Sequence, residues 1–168
     1  MPESNTRFYV RDHGEALYRR SLYTFWKRAA PPATMDIFNA PSREVCTVRR
    51  ERTNTPLQAL ATLNDPQFLE AARRLAEVAL IQVRGRDDDA IEEMALRLLS
   101  RPLTPSEKSV VRETHAAMRA YYDDQPEAAK QLLATGESKP SSNLPASQLA
   151  AMTMVANQLM NLDEVLNK

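Results

Sequence analysis

Arginine side chains are concentrated in the stretch TVRRERTNTPLQALATLNDP, residues 47–66, directly ahead of an apolar run. Guanidinium groups bind sulfate, phosphate or carboxylate groups, and free N–H groups at a helix N-terminus favour the same anions. The stretch is therefore a candidate anion-binding site. The alternative is that the arginines pair with nearby acids such as Glu44, Glu51 and Asp12 while Thr55 caps a helix. The candidate binding residues of this stretch are Arg49, Arg50, Arg52, Thr53 and Asn54.

Trp26 is a second candidate, within the aromatic stretch LYRRSLYTFWKR, residues 17–28. A tryptophan ring can stack on a sugar, so Trp26 together with the arginines would suit an anionic polysaccharide. Aromatic side chains are also the usual material of a small core. Alternation along the stretch places Trp26 on the same face as Leu22, which favours the core role.

Residues that act as nucleophiles, bases or metal ligands are few. The single cysteine, Cys46, excludes an intrachain disulfide, a multi-cysteine zinc site and a CxxCH haem attachment. We expect Cys46 to be buried rather than reactive. His115 has no acid one turn away that would act as a co-ligand, and His13 lies in a turn-like segment.

Catalytic signatures are missing as well, since the sequence contains no G-x-S-x-G, P-loop or H-E-x-x-H motif. We therefore assign no catalytic residue, no metal ligand and no cofactor to this chain.

Prolines that follow capping residues mark the helix starts, because proline lacks the N–H that would be unsatisfied at the first helical position. Thr104 and Glu107 also form a capping box, and the acidic run at 87–89 favours another helix start. Gly85 and Gly136 occupy positions typical of helix ends. The four proline starts are Thr55–Pro56, Asp65–Pro66, Thr104–Pro105 and Gln125–Pro126.

Apolar residues recur at helical spacing through residues 91–99, 110–121 and 149–162. The fold class that we predict is mainly α, an antiparallel helical bundle packed on a short β or irregular, aromatic-rich N-terminal segment. The stretch 17–28 fits two patterns: helical spacing would place Tyr18, Leu22, Phe25 and Trp26 on one face, whereas alternation would place Tyr18, Leu22 and Trp26 on one face of a strand. Aromatic and β-branched enrichment favours the strand, paired with residues 8–10. We expect a single domain of 168 residues, with residues 1–55 as the strand- and loop-rich part and 56–168 as the helical part.

The overall charge limits the classes of partner. Twenty-two basic residues balance 22 acidic ones, so a broad electrostatic attraction to nucleic acid is not expected. No apolar run approaches the length of a membrane span. The first ten residues, MPESNTRFYV, are polar and show no signal peptide.

Several segments resemble a known family when taken as a series. They are YVRDHGEALYRRSLYTFWKR, IFNAPSREVC, VRRERTNTPLQALATLNDPQFLEAARRLAE and ANQLMNLDEVL. This series resembles the C-terminal, planctomycete-specific (PSD-type) domain of unknown function found in planctomycete and verrucomicrobial cytochrome-c-linked exported proteins. The segments 18–28 and 49–66 carry most of the resemblance.

The resemblance implies a C-terminal fragment of a longer extracytoplasmic or periplasmic protein, with the upstream domains of that protein as its partners. Haem would belong only to an upstream module, because this chain has no CxxCH. The family's association with the degradation of sulfated polysaccharides makes a polysaccharide a further expected partner. A non-catalytic module that packs on upstream domains is the first expectation for function, and binding or degradation of anionic polysaccharide is the alternative.

Overall fold

The structure is a computed structural model that describes residues 9–27 and 30–167. The ordered elements of these residues are all helical, which confirms the mainly α prediction, and none of the helices is long and apolar enough to cross a membrane. Two short 3-10 helices span Gly14–Tyr18 and Ser21–Tyr23. The α-helices are α1 (Ala33–Ile37), α2 (Pro56–Asn64), α3 (Pro66–Gln82), α4 (Asp87–Leu99), α5 (Pro105–Asp124), α6 (Pro126–Leu133), α7 (Ala146–Met160) and α8 (Asp163–Leu166).

The strand predicted over 17–28 is wrong for the residues that the structure describes there. The segment forms 3-10 turns, in which Tyr23 N–H donates to the Arg20 carbonyl at 2.9 Å and Thr24 N–H to the Ser21 carbonyl at 3.2 Å. These local bonds satisfy the backbone without a partner strand. Of the predicted partner, Tyr9 and Val10 are not in a strand, and residue 8, like residue 28, lies outside the described residues.

The helix starts agree with the predictions from capping and proline position. All four prolines begin helices, and α4 begins at Asp87. Asp65 caps α3 by accepting a hydrogen bond from Gln67 N–H at 2.8 Å. Thr104 and Glu107 form the predicted capping box of α5. These predictions are confirmed, because capping depends on residues that are close in sequence.

The chain divides into two compact units, Met1–Gln58 and Ala59–Lys168, and the division falls within α2. In the second unit α7 is the central helix and packs against α3, α4, α5 and α6. Most residues of α7 are buried, as expected for a helix that is surrounded by others. The antiparallel order of these helices stays a prediction. The buried apolar residues of α7 are Leu149, Ala150, Ala151, Met152, Val155, Ala156 and Leu159.

Candidate functional site

Residues 47–55, which we call the arginine-rich stretch, are irregular backbone, and the buried Gln58 anchors the end of this stretch. Gln58 Nε2 donates to the Ile37 carbonyl and to Thr53 Oγ1, both at 2.9 Å. Asn39 Nδ2 donates to the same Thr53 hydroxyl at 2.7 Å. Gln58 is 3% exposed, so these bonds lie away from water, where an unpaired amide would be costly. Thr53 is therefore engaged in holding the stretch.

The cap predicted at Thr55 is present at the start of α2, and Gln58 completes a capping box that was not predicted. Gln58 N–H donates to Thr55 Oγ1 at 3.2 Å, and Thr55 N–H donates to Gln58 Oε1 at 3.1 Å. The signal was present in the sequence, because threonine followed three residues later by glutamine is the capping-box pattern. The same glutamine thus caps the helix and anchors the stretch before it.

The three candidate arginines, Arg49, Arg50 and Arg52, are exposed to solvent. Arg50 NH1 donates to the Phe38 carbonyl at 3.0 Å. Among the residues that the structure describes, no carboxylate forms an ion pair with Arg49 or Arg52. Arg49 and Arg52 therefore present their charge to solvent, whereas Arg50 contributes to the fold of the stretch.

Trp26 is half-buried, and the Arg43 guanidinium carbon lies 5.2 Å from its ring centroid, within the range of a cation–π contact. Arg43 also donates to the Ser21 carbonyl at 3.1 Å. The predicted core role fails for the neighbours of Trp26, because Leu22, Tyr23 and Phe25 are all exposed. Alternation with a period of two shows which residues share a face only in a strand, and this segment is not a strand.

Helix α2 buries polar side chains and exposes leucines. Leu57, Leu60 and Leu63 are 54%, 58% and 41% exposed, whereas Gln58 and Thr62 are buried. The Thr62 hydroxyl donates to Asn161 Oδ1 at 2.6 Å, and the backbone carbonyl of Thr62 accepts a hydrogen bond from Asn157 Nδ2 at 2.8 Å. We call Leu60 and Leu63, which both belong to the second unit, the leucine face of α2.

A buried ionic network on α3 holds the polar loop between α6 and α7. The Glu70 carboxylate accepts hydrogen bonds from the backbone N–H groups of Glu137 and Ser138, both at 2.8 Å. Arg73 NH2 donates to the Ser138 carbonyl at 2.7 Å, and Glu77 Oε1 accepts from Ser141 N–H at 2.9 Å.

The side chains of Glu70, Arg73 and Glu77 are all nearly inaccessible to solvent, and Arg73 NH1 lies 3.3 Å from Glu77 Oε1. Burial of these charges is tolerated because each has charged or hydrogen-bonded partners. The network thereby gives a structural role to acids and an arginine that the sequence did not single out.

The structure places Cys46 in irregular backbone and His115 in α5. Cys46 is exposed, so the expectation that it would be buried is wrong; it lies in an irregular stretch whose apolar residues Val45 and Val48 are exposed as well. His115 Nε2 lies 3.6 Å from Asp87 Oδ2, and Asp87 Oδ1 accepts from Gln148 Nε2 at 2.6 Å. Asp87 belongs to α4, whereas His115 belongs to α5. The spacing of residues along α5 alone therefore could not predict this contact.

A family model described as PSD1, protein of unknown function (DUF1553), matches residues 1–115. The chain belongs to this DUF1553 family. No curated protein and no solved structure gives a significant match. The DUF1553 match contains the arginine-rich stretch, α2, α3 and α4, and it ends within α5. The features described above for α2 and for the arginines therefore lie in the part of the chain that defines the family.

Proposed function

We propose that this DUF1553 chain is a non-catalytic C-terminal module of an exported, cytochrome-c-linked multidomain protein, and that it packs on domains upstream of it. The resemblance of the sequence to such proteins supports this context. In this proposal the upstream domains carry any haem and the full protein is extracytoplasmic. The helices of residues 56–168 form an antiparallel bundle that presents the packing surface.

The leucine face of α2 is the observation that carries the proposal. An amphipathic helix ordinarily turns its leucines towards the core and its polar residues towards water. In the second unit the Thr62 hydroxyl of α2 is held inside by a hydrogen bond, whereas Leu60 and Leu63 are exposed. Full burial of an exposed leucine side chain stabilises by about 1.5–3 kcal/mol. Leu60 and Leu63 are about half exposed, so a partner surface that covers this face would gain part of that stabilisation from each.

A charge introduced on this face tests the proposal. Leu60→Glu should change the stability of this chain alone by no more than about 0.5 kcal/mol, because Leu60 is exposed there. In the longer protein the same substitution should cost about 2 kcal/mol or more, because the carboxylate would be desolvated at the interface. Urea denaturation of both proteins measures the difference, with Ile81→Glu on α3 as the matched exposed control. Equal costs in the two proteins would contradict the proposal.

A second candidate function is the binding of anionic polysaccharide through Arg49 and Arg52. Their exposure without an ion pair in the described residues favours it. Arg50 and Asn54 would add to the site, and Trp26 would stack on a sugar after Arg43 moves off its ring. Titration with sulfated and uronic glycans, monitored by thermal shift, tests this function.

In that titration, saturable stabilisation should be lost in Arg49→Ala/Arg52→Ala and retained in Arg84→Ala/Arg86→Ala, a control in the turn before α4. A thermal midpoint that no glycan changes would count against the function.

A further inference from the structure

The segment from Tyr18 to Phe25, which includes the 3-10 helix Ser21–Tyr23, exposes large apolar side chains and guanidinium groups close together in sequence. Leu22 and Phe25 are 72% and 65% exposed, and Tyr18 and Tyr23 are also more than half exposed. Apolar side chains exposed singly are ordinary, whereas four large ones exposed within eight consecutive residues favour a binding surface. Arg19 and Arg20 lie between them in sequence and are exposed as well. We call residues 18–25 the aromatic–arginine segment.

Positive charge is held against aromatic rings in this part of the chain. The Arg20 guanidinium carbon lies 5.9 Å from the Tyr23 ring centroid, in addition to the Arg43–Trp26 contact. A cation–π contact keeps the guanidinium beside the ring while its remaining N–H groups stay available to a ligand. The segment therefore presents apolar surface and hydrogen-bond donors for an anion at one place.

The charge of the first unit also favours an anionic partner, although the chain as a whole is neutral. Residues 1–58 contain ten Lys or Arg against six Asp or Glu, which leaves a formal charge of +4. Residues 59–168 contain 12 against 16, which leaves −4. The neutral total therefore conceals a basic first unit, and the partner that suits this unit is anionic.

We propose that the aromatic–arginine segment binds the interfacial region of an anionic lipid bilayer. Leu22, Tyr23 and Phe25 would enter the boundary between headgroups and acyl chains, while Arg19 and Arg20 contact lipid phosphates. Aromatic residues favour this boundary because their rings are amphipathic. A polysaccharide or a nucleic acid would supply anionic groups for the arginines, but it offers no apolar layer for Leu22 and Phe25. A bilayer supplies both phosphates for the arginines and an apolar layer for Leu22 and Phe25.

Flotation with lipid vesicles tests the proposal. The chain should bind vesicles made of equal parts of phosphatidylcholine and phosphatidylglycerol, and bind weakly to phosphatidylcholine alone. Arg19→Gln/Arg20→Gln should lower the partition coefficient roughly thirtyfold, since each charge near such a surface contributes about 1 kcal/mol. Leu22→Ser/Phe25→Ser should lower it about tenfold or more. Val78→Ser/Ile81→Ser, which removes exposed apolar side chains from α3, should bind like the unchanged chain.

Fluorescence of Trp26 gives an independent readout, because it is the single tryptophan of the chain. Its emission should shift to shorter wavelength with the mixed vesicles and stay unchanged in Leu22→Ser/Phe25→Ser. Far-UV circular dichroism checks that each variant is folded, which is expected because the substituted side chains are exposed.

Three results would overturn the proposal. The first is no binding to the mixed vesicles. The second is vesicle binding that Leu22→Ser/Phe25→Ser leaves unchanged, because attraction would then be electrostatic without insertion. The third is binding to dextran sulfate but not to vesicles, which would assign the arginines to a polysaccharide. The proposal is independent of the packing role of α2, which uses other residues and is tested by other variants.

Discussion

Gly136 shows how a single missing side chain allows the buried network on α3 to reach its loop. A Cβ atom at this position would lie 2.3 Å from Glu70 Oε2, and the residue has a φ of +95°. Both the space and the backbone conformation therefore require glycine. The sequence predicted a helix-ending role for Gly136, but not its contact with Glu70, since the two residues are 66 positions apart.

We predict that Gly136→Ala destabilises the chain by about 2–4 kcal/mol, because it adds a steric clash to the strain of a positive φ. Gly85→Ala is the matched control: its φ is +78°, but no atom lies within 4 Å of the added Cβ. It should cost only about 1 kcal/mol. Urea denaturation measures both values, and equal costs would show that the clash is absent.

Arg73 neutralises two buried carboxylates, so its removal should be costly. We predict that Arg73→Met lowers the free energy of unfolding by about 3–5 kcal/mol, because Glu70 and Glu77 would both lose a buried cationic partner. Arg74→Met should cost less than about 1 kcal/mol, since Arg74 is 56% exposed although it also pairs with Glu77. Denaturant unfolding of the two variants measures the contrast. A cost below 1 kcal/mol for Arg73→Met would contradict the network's structural importance.

At the scale of elements, the start of α5 is joined to α8 through one arginine. Arg101 NH1 donates to Glu107 Oε2 at 2.9 Å, and Arg101 NH2 donates to Glu164 Oε2 at 2.7 Å. The Arg101 side chain and the Thr104 cap both donate to Glu107, and together they lower the pKa of its carboxyl from 4.5 to about 2. The capping box is readable from the sequence, whereas the bond to α8 is not.

This lowered pKa predicts a dependence of stability on pH. The folded chain holds Glu107 ionised more strongly than the unfolded chain does, so the stabilisation is complete above about pH 4.5 and is lost as the pH falls towards 2. Over this range, the stability of Glu107→Gln should fall less steeply than that of the unchanged chain. Arg101→Gln, which removes the main cause of the shift, should also flatten the profile. Thermal unfolding at successive pH values measures the slopes; an unchanged slope in Glu107→Gln would contradict the assignment.

Local signals account for what the sequence predicted at this scale. Capping residues, prolines and helical periodicity gave the starts of α2 to α6, because each depends on residues within one turn. The strand over 17–28 was wrong because alternation does not distinguish a half-buried strand from an exposed 3-10 segment. The exposure of the α2 leucines was not predicted. The spacing of apolar residues along a helix does not show that Gln58 and Thr62 form hydrogen bonds inside the protein, which leaves the leucines exposed.

At the scale of the whole molecule, the DUF1553 match covers the arginine-rich stretch and α2, the two features on which the proposed functions rest. The candidate anion-binding arginines were chosen from their clustering ahead of a predicted helix start. Their exposure, the Arg43–Trp26 contact and the leucine face required coordinates, because each depends on residues distant in sequence.

The accessibility of position 60 tests the central claim of packing on upstream domains most directly. Cys46 is exposed and would react with a thiol reagent, so the measurement uses Cys46→Ser/Leu60→Cys, with Cys46→Ser/Ile81→Cys as the control. Maleimide labelling rates are compared between this chain alone and the longer protein. Packing of the leucine face on an upstream domain predicts fast labelling of both positions in the chain alone, and protection of position 60, but not of position 81, in the longer protein. Equally fast labelling of position 60 in both proteins would contradict it.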